Sequence, residues 1–344
     1  MLPAESQASK TITPKELFAR IVEGLQQDTP LMYCNDMVVE SARCNMRTTE
    51  DEVARRLLTG VIPVSDLFIV YSVYLLGFAT PDMVASELNI LKKKYPQKII
   101  PAVGVSAVQD RLTECCKSGL LTMQKFKQSV NGRNGSIVFQ VYCVGHNGFK
   151  LIRQKLGVHV YANDMIAATA RVDILKRVAS NYVAFSLTSL LDIKEPVLGG
   201  GTDNTFKESN LTPYFYAKVS SQDGEKEKIY ICEPAYFVVD PTIDDYELRV
   251  EKQKSRFEQI ERWVECAKAH GNMEVYIIVV CENIEGLNKA SAMANEVSPY
   301  LAESLYYTSE TVLSKLKRNG ISDYGFIKIH QENGESSISL AHLD

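Results

Sequence analysis

The chain has 344 residues, 45% hydrophobic and 23% charged, with a formal net charge of −4, which is the composition of an ordinary soluble globular protein. That length predicts two or three domains of roughly 100–200 residues each, with a sizeable core. The longest apolar run, Leu67 to Ala79, spans 13 residues and falls short of the ~20 that a membrane helix needs, so no membrane partner is expected.

The first sixteen residues carry no basic-then-apolar run, so no secretory signal is expected. The eight cysteines show no C-x-x-C spacing, and Cys115 and Cys116 are adjacent. Buried free thiols in a reducing, cytoplasmic setting fit this better than disulfides or a structural zinc. The net charge hides a strong asymmetry. Residues 61–160 hold 12 Lys/Arg against 5 Asp/Glu, and the rest of the chain holds 26 against 37. A locally cationic segment is the footprint of a duplex-DNA binder, because neutralising phosphates releases condensed counterions.

Residues 1–60 read as a peripheral helical extension, with one helix from about Pro14 to Gln26 and a charged one from Thr49 to Leu58. The basic segment opens with an apolar helix, Ser65 to Phe78. Thr80-Pro81-Asp82 then supplies an N-cap, a proline at the first helical position and an acid in the first turn of a second helix running to about Lys93. Ser106 and Gln109 have capping-box spacing at the start of a third helix, and Gly119 is placed to end it. Its apolar face carries Val108, Leu112 and Cys115, with Asp110, Arg111, Glu114 and Lys117 toward the other side.

Two β-rich runs, LTMQKFKQSV and SIVFQVYCVG, flank Asn131-Gly132 and Asn134-Gly135 and predict a hairpin. Arg133 lies at its tip, and Lys125 and Lys127 alternate along one face of its first strand. A short helix, Asn147 to Leu156, follows, and then a long amphipathic one over residues 161–191. Glu195 to Thr212, with Gly199-Gly200-Gly201, reads as a linker; lacking a following Lys-Ser/Thr, it is no phosphate loop.

The remainder predicts an α/β domain. Strands Tyr214–Val219 and Lys228–Cys232 join across Asp223-Gly224, and a charged helix runs from Tyr246 to His270. Val275–Cys281 has the continuous apolar pattern of a strand covered on both faces. A helix from Gly286 to Val297, a strand Ser304–Tyr307 and a helix Glu310–Lys317 complete the order. Trp263, the single tryptophan, is expected in the core, and His146 and His159 in capping or core roles.

The hairpin followed by Gly145-His146-Asn147-Gly148-Phe149, and then by Val158-His159-Val160-Tyr161-Ala162-Asn163-Asp164 at a long helix, resembles the replication-relaxation proteins of Gram-positive plasmids and conjugative elements. The C-terminal order is similar too: a strand to Glu233, a long helix, Val275–Cys281, a helix, and Tyr306-Tyr307-Thr308. The resemblance spans roughly residues 61–320. It implies a winged helix followed by a restriction-endonuclease-like domain, and a role near replication or transfer of a mobile element. Double-stranded DNA is the expected partner of the basic segment, and the acidic C-terminal domain is expected to serve as a platform for other replication or transfer proteins or for a second copy of the chain.

An active nuclease of that fold keeps an acid on one core strand and Glu-x-Lys or Glu-x-Asp on the next, so that carboxylates hold Mg²⁺. Here Glu233 is in place, Ala235 replaces the second group, and Pro234 is expected to disturb the strand end. The preceding strand carries only Lys218, with Asp223 and Asp240 in turns nearby. One carboxylate binds catalytic Mg²⁺ poorly. The expected architecture is therefore an α+β winged helix-turn-helix over residues 61–160, a connecting helix and linker over 161–200, and an α/β restriction-endonuclease-like domain over 201–335 short of its catalytic set.

The function this predicts is duplex-DNA recognition without chemistry and without a cofactor. Lys92, Lys93, Lys94, Arg111, Lys117, Lys125, Lys127 and Arg133 are the candidate DNA contacts. A solvated helix end accounts equally well for Lys92 to Lys94, and surface charge on a bundle helix for Arg111 and Lys117. Two alternatives stand beside this reading. One is a Mg²⁺-dependent nuclease using Glu233, Asp223, Asp240 and Lys218; the other is a transcriptional regulator of the winged-helix type.

Overall fold

The computed structural model describes residues 37–42, 49–96, 104–130, 133–156, 171–191, 197–198, 211, 213–220, 227–237, 246–269, 273–309, 326–332 and 335–341. Strand β1 (Met37–Ala42) and helix α1 (Glu50–Leu58) come first. The helix at Thr49 is as expected: the Thr49 hydroxyl accepts from Glu52 N at 3.2 Å, and Glu52 in turn pairs with Arg55 and Arg56. The strand is a correction to the all-helical reading of residues 1–60. It pairs antiparallel with the outer edge of the predicted hairpin. The predicted helix near residues 14–26 lies outside the described residues.

Helix α2 (Val64–Leu76) ends at Gly77, whose φ of 72° suits a residue without Cβ. Helix α3 (Pro81–Lys94) starts on the Thr80-Pro81 signal. Helix α4 (Val105–Lys117) begins one residue earlier than its sequence suggests. Gly104 is the N-cap and makes no side-chain cap, so the capping box expected at Ser106 is not formed. Strands β2 (Leu121–Val130) and β3 (Arg133–Val144) make the predicted hairpin, and the first sheet has the order β1-β2-β3. Ala79, between α2 and α3, exchanges both backbone hydrogen bonds with Tyr142 of β3 at 2.9 and 2.8 Å, which ties the hairpin to the helices.

Helix α5 (His146–Leu156) follows directly. Its glycines have a packing reason. A Cβ on Gly145 would sit 2.6 Å from Gly119 O, and one on Gly148 would run into Leu120 O, because the α5 N-terminus abuts the α4–β2 junction. Asn147 seals this contact by donating to Ser118 O at 3.0 Å.

Helix α6 (Arg171–Leu191) is the described part of the long helix expected over 161–191. Rather than showing one apolar stripe, it is buried around most of its girth. Val172, Ile174, Leu175, Val178, Ala179, Val183, Ala184 and Leu187 all belong to one core with α2, α3 and the second sheet.

That sheet contains β4 (Val197–Leu198), β5 (Phe215–Ser220), β6 (Glu227–Pro234), β7 (Met273–Cys281), β8 (Leu305–Ser309), β9 (Phe326–Glu332) and β10 (Glu335–Ala341). Among the described residues its order is β10-β9-β8-β7-β6-β5-β4. Strands β6, β7 and β8 run parallel, joined through helices α7 (Tyr246–Ala269), α8 (Ile284–Val297) and the short α9 (Pro299–Ser304). The β5–β6 pair is the predicted hairpin, and β7 is the predicted double-covered strand, buried between α6 on one face and α7 and α8 on the other. Trp263 is core, as expected.

The β9–β10 pair had no counterpart in the sequence reading, and the helix expected at 310–317 lies outside the described residues. Pro234 does not disturb the strand: it pairs with Val280, and Ala235 N donates to Val280 O at 2.8 Å. Since β5 reaches only to the partner of Cys232, the side of Pro234 that lacks an N–H faces no strand. The chain is thus mixed α+β, helical in its N-terminal part with a mixed sheet in its C-terminal part.

Candidate nucleic-acid interface

Helix α4 is anchored by a narrow stripe. Val108, Leu112, Cys115 and Cys116 are buried. Val105, Ser106, Ala107, Gln109, Asp110, Thr113, Glu114 and Lys117 are all exposed. Most of the surface of α4 is therefore left to solvent.

The ribbon beside it brings cations to the same side. Tyr142 of β3 lies beside Thr113 and Cys116 of α4 and donates to Gln140 at 2.8 Å, and burial pushes its phenol pKa up to about 12. Met123 pairs with Tyr142 and Lys125 with Gln140, so by alternation Lys125 and then Lys127 lie on the ribbon face turned toward α4. Both lysines are half-buried. Nearer the helices both faces of the ribbon are buried, with Gln124 and Phe126 on one and Leu121, Met123 and Tyr142 on the other.

The other candidates are distributed unevenly. Arg111 is drawn inward. It holds Asp66 of α2 with two hydrogen bonds, Nε to Oδ1 at 3.1 Å and Nη2 to Oδ2. The Asp66 carboxylate is 5% exposed, and its hydrogen bond raises the Arg111 pKa further. That guanidinium neutralises a buried acid and pins α4 to α2. Lys117 bonds Glu114 on its own last turn at 2.7 Å. Lys92 and Lys93 are exposed at the end of α3, where helix geometry favours cations in any case. The side chains of Lys94 and Arg133 lie outside the described residues; the Arg133 backbone pairs with Val130 at the start of β3.

The nuclease-type candidates do not form a metal site among the described residues. Glu233, at the end of β6, is 2% exposed, and Arg256 of α7 grips it. Arg256 Nε lies 3.2 Å from both carboxylate oxygens and Nη2 lies 2.7 Å from Oε2. Gln253 donates to Glu233 Oε1 at 3.1 Å and accepts from Lys176 of α6 at 3.2 Å. Burial opposes the charge on Arg256, but the adjoining Glu233 outweighs it and raises its pKa; burial lowers that of Lys176.

A carboxylate held this way has its lone pairs directed at a guanidinium and an amide rather than at a metal. Lys218 is exposed and pairs with Ile229, four positions back along β6 from Glu233, about 13 Å away at strand rise. Asp223 and Asp240 lie outside the described residues, and no group of three potential metal-ligating residues occurs among those described. Sequence reasoning missed Arg256 and Gln253, although a signal existed: they continue the stripe of Ile260 and Val264 toward the strand end that carries Glu233.

No protein-family model matches the chain, and neither a curated protein nor a solved structure does. Among the described residues, no helix is long and apolar enough to cross a membrane.

Proposed function

We propose that this chain binds double-stranded DNA by recognition rather than chemistry, with α2, α3, α4 and the β2–β3 ribbon acting as a winged helix-turn-helix. The observation that carries this is the pairing of a largely uncovered α4 with Lys125 and Lys127 on the ribbon face beside it. The Ala79–Tyr142 bridge supports it by joining three helices and ribbon into one unit. On this reading α4 enters the major groove while the ribbon lysines follow the phosphate backbone.

The C-terminal sheet, with its strand to Glu233, long helix, buried strand and helix, supports the likeness to a restriction-endonuclease-like fold. The Arg256–Glu233 pair favours a non-cleaving version of it. Together these features favour a replication-relaxation-type accessory role on a mobile element. In that role the sheet domain would engage other replication or transfer proteins, or a second copy of the chain.

The test is binding to a random-sequence duplex, followed by fluorescence anisotropy across a salt series. About 5–8 phosphate contacts predict a log–log slope of about −4 to −7. A slope near zero overturns the DNA reading.

A further inference from the structure

The charges on α4 do not suit a helix that holds phosphates. Its one arginine, Arg111, neutralises buried Asp66, and Lys117 is matched by Glu114. The face left to solvent carries Ser106, Gln109, Asp110 and Thr113, at i, i+3, i+4 and i+7. The Thr113 hydroxyl donates to Gln109 O at 3.0 Å. The Gln109 amide and the Asp110 carboxylate make no hydrogen bond or ion pair among the described residues. A bare carboxylate therefore stands at the centre of the face, and the cations stand beside it on the ribbon.

This pattern is complementary to a groove and not to a flat polyanion. The rim of a DNA groove is phosphate, which Lys125 and Lys127 suit and Asp110 does not. The floor of the major groove offers both acceptors and amino donors, and a carboxylate can approach only the donors. Aspartate accepts from cytosine N4, whereas an amide side chain pairs with adenine N6 and N7. We infer that Asp110 and Gln109 read base edges, with Asp110 selecting a cytosine and Gln109 an adjacent adenine, so that binding is sequence-specific. The inference rests on the DNA-binding reading above and goes beyond it by naming what the helix reads.

The experiment is selection of bound duplexes from a random library by the full chain. It is followed by anisotropy with the enriched duplex, a single cytosine-to-thymine substitution in it, and a random duplex. The expected result is an enriched site with a fixed cytosine whose replacement weakens the wild-type protein about 5- to 100-fold. Asp110→Ala should bind the cytosine and thymine duplexes equally, and Asp110→Asn should shift the preference at that position from cytosine to adenine. Neither variant should change the salt slope on random duplex.

If Asp110→Ala tightens binding to every duplex by one common factor, the carboxylate only repels phosphate and the inference fails. If random duplex is bound with a steep slope but no sequence is enriched, base reading fails while DNA binding stands. A flat salt slope with the wild-type protein removes both. Because Asp110 and Gln109 are exposed and outside the core, unchanged circular dichroism of the variants checks that folding is not the cause.

Discussion

Two buried ion pairs, Asp66–Arg111 and Glu233–Arg256, show how single charges are handled in this chain. In each a nearly inaccessible carboxylate is met by a guanidinium that keeps one side toward solvent. Removing the cation alone leaves an unpaired buried charge. Arg256→Ala should therefore cost about 3–5 kcal/mol in urea unfolding followed by Trp263 fluorescence, whereas Glu233→Gln combined with Arg256→Met should recover most of that loss. Equal losses in the single and the combined variant would show that packing, not charge, holds the site. Lys328 behaves differently. Its ammonium donates to Glu303 O at 2.6 Å and stands 3.9 Å over the Tyr306 ring, yet burial lowers its pKa from 10.5 to about 8. Between those two values the unfolded chain holds a proton that the folded chain has released, so this group makes stability rise with pH over that window. Melting temperatures of wild type and Lys328→Met, measured from pH 8 to 10.5, should diverge in favour of the wild type as pH rises.

At the scale of elements, sequence pattern was most informative where local chemistry decides. The Thr49 and Thr80-Pro81 starts, the β2–β3 hairpin and the continuous run of β7 all form where their residues place them. What failed depended on distant partners. Strand β1 is only six residues long, with Asn35-Asp36 before it, and it becomes a strand because β2 offers it an edge. The Gly104 start of α4 overrides a plausible Ser106 box. The interface was legible in part. Alternation placed Lys125 and Lys127 on one face, but nothing local reveals that Arg111 turns inward to an acid 45 positions earlier. The Gly145 and Gly148 spacing was visible as a motif and acquires its cause in the close approach of α5 to the α4–β2 junction. Gly148→Ala should force that backbone apart and destabilise the fold by about 3 kcal/mol or more. A matched Gly60→Ala control meets no neighbouring atom but sits at a φ of 74°, so it should cost only about 1 kcal/mol. Thermal melts compare the two directly.

Across the whole molecule, α6 is the member that both parts share. Arg177 donates to Leu76 O at 3.2 Å and to Tyr214 O at 2.9 Å, so one side chain joins the end of α2 to the start of β5. Asn181 donates to Leu76 O at 3.0 Å and Phe78 O at 2.9 Å, tying α6 to the chain that leaves the end of α2. Unfolding of the wild type should then be one cooperative event, with Trp263 fluorescence and far-ultraviolet circular dichroism superimposing. Asn181→Leu should lower stability by about 1–3 kcal/mol, since the Phe78 carbonyl loses its donor while Leu76 O keeps Arg177 and Phe78 N. Curves that already separate in the wild type would show that the two parts melt independently. The shared helix also governs how the gene can be cut. A fragment stopping at residue 156 would keep every proposed DNA contact but lose the helix that shares a core with α2 and α3, uncovering apolar surface there. Such a fragment should precipitate, and so should one extended only through Leu191, because the side of α6 that packs on the second sheet would then be bare.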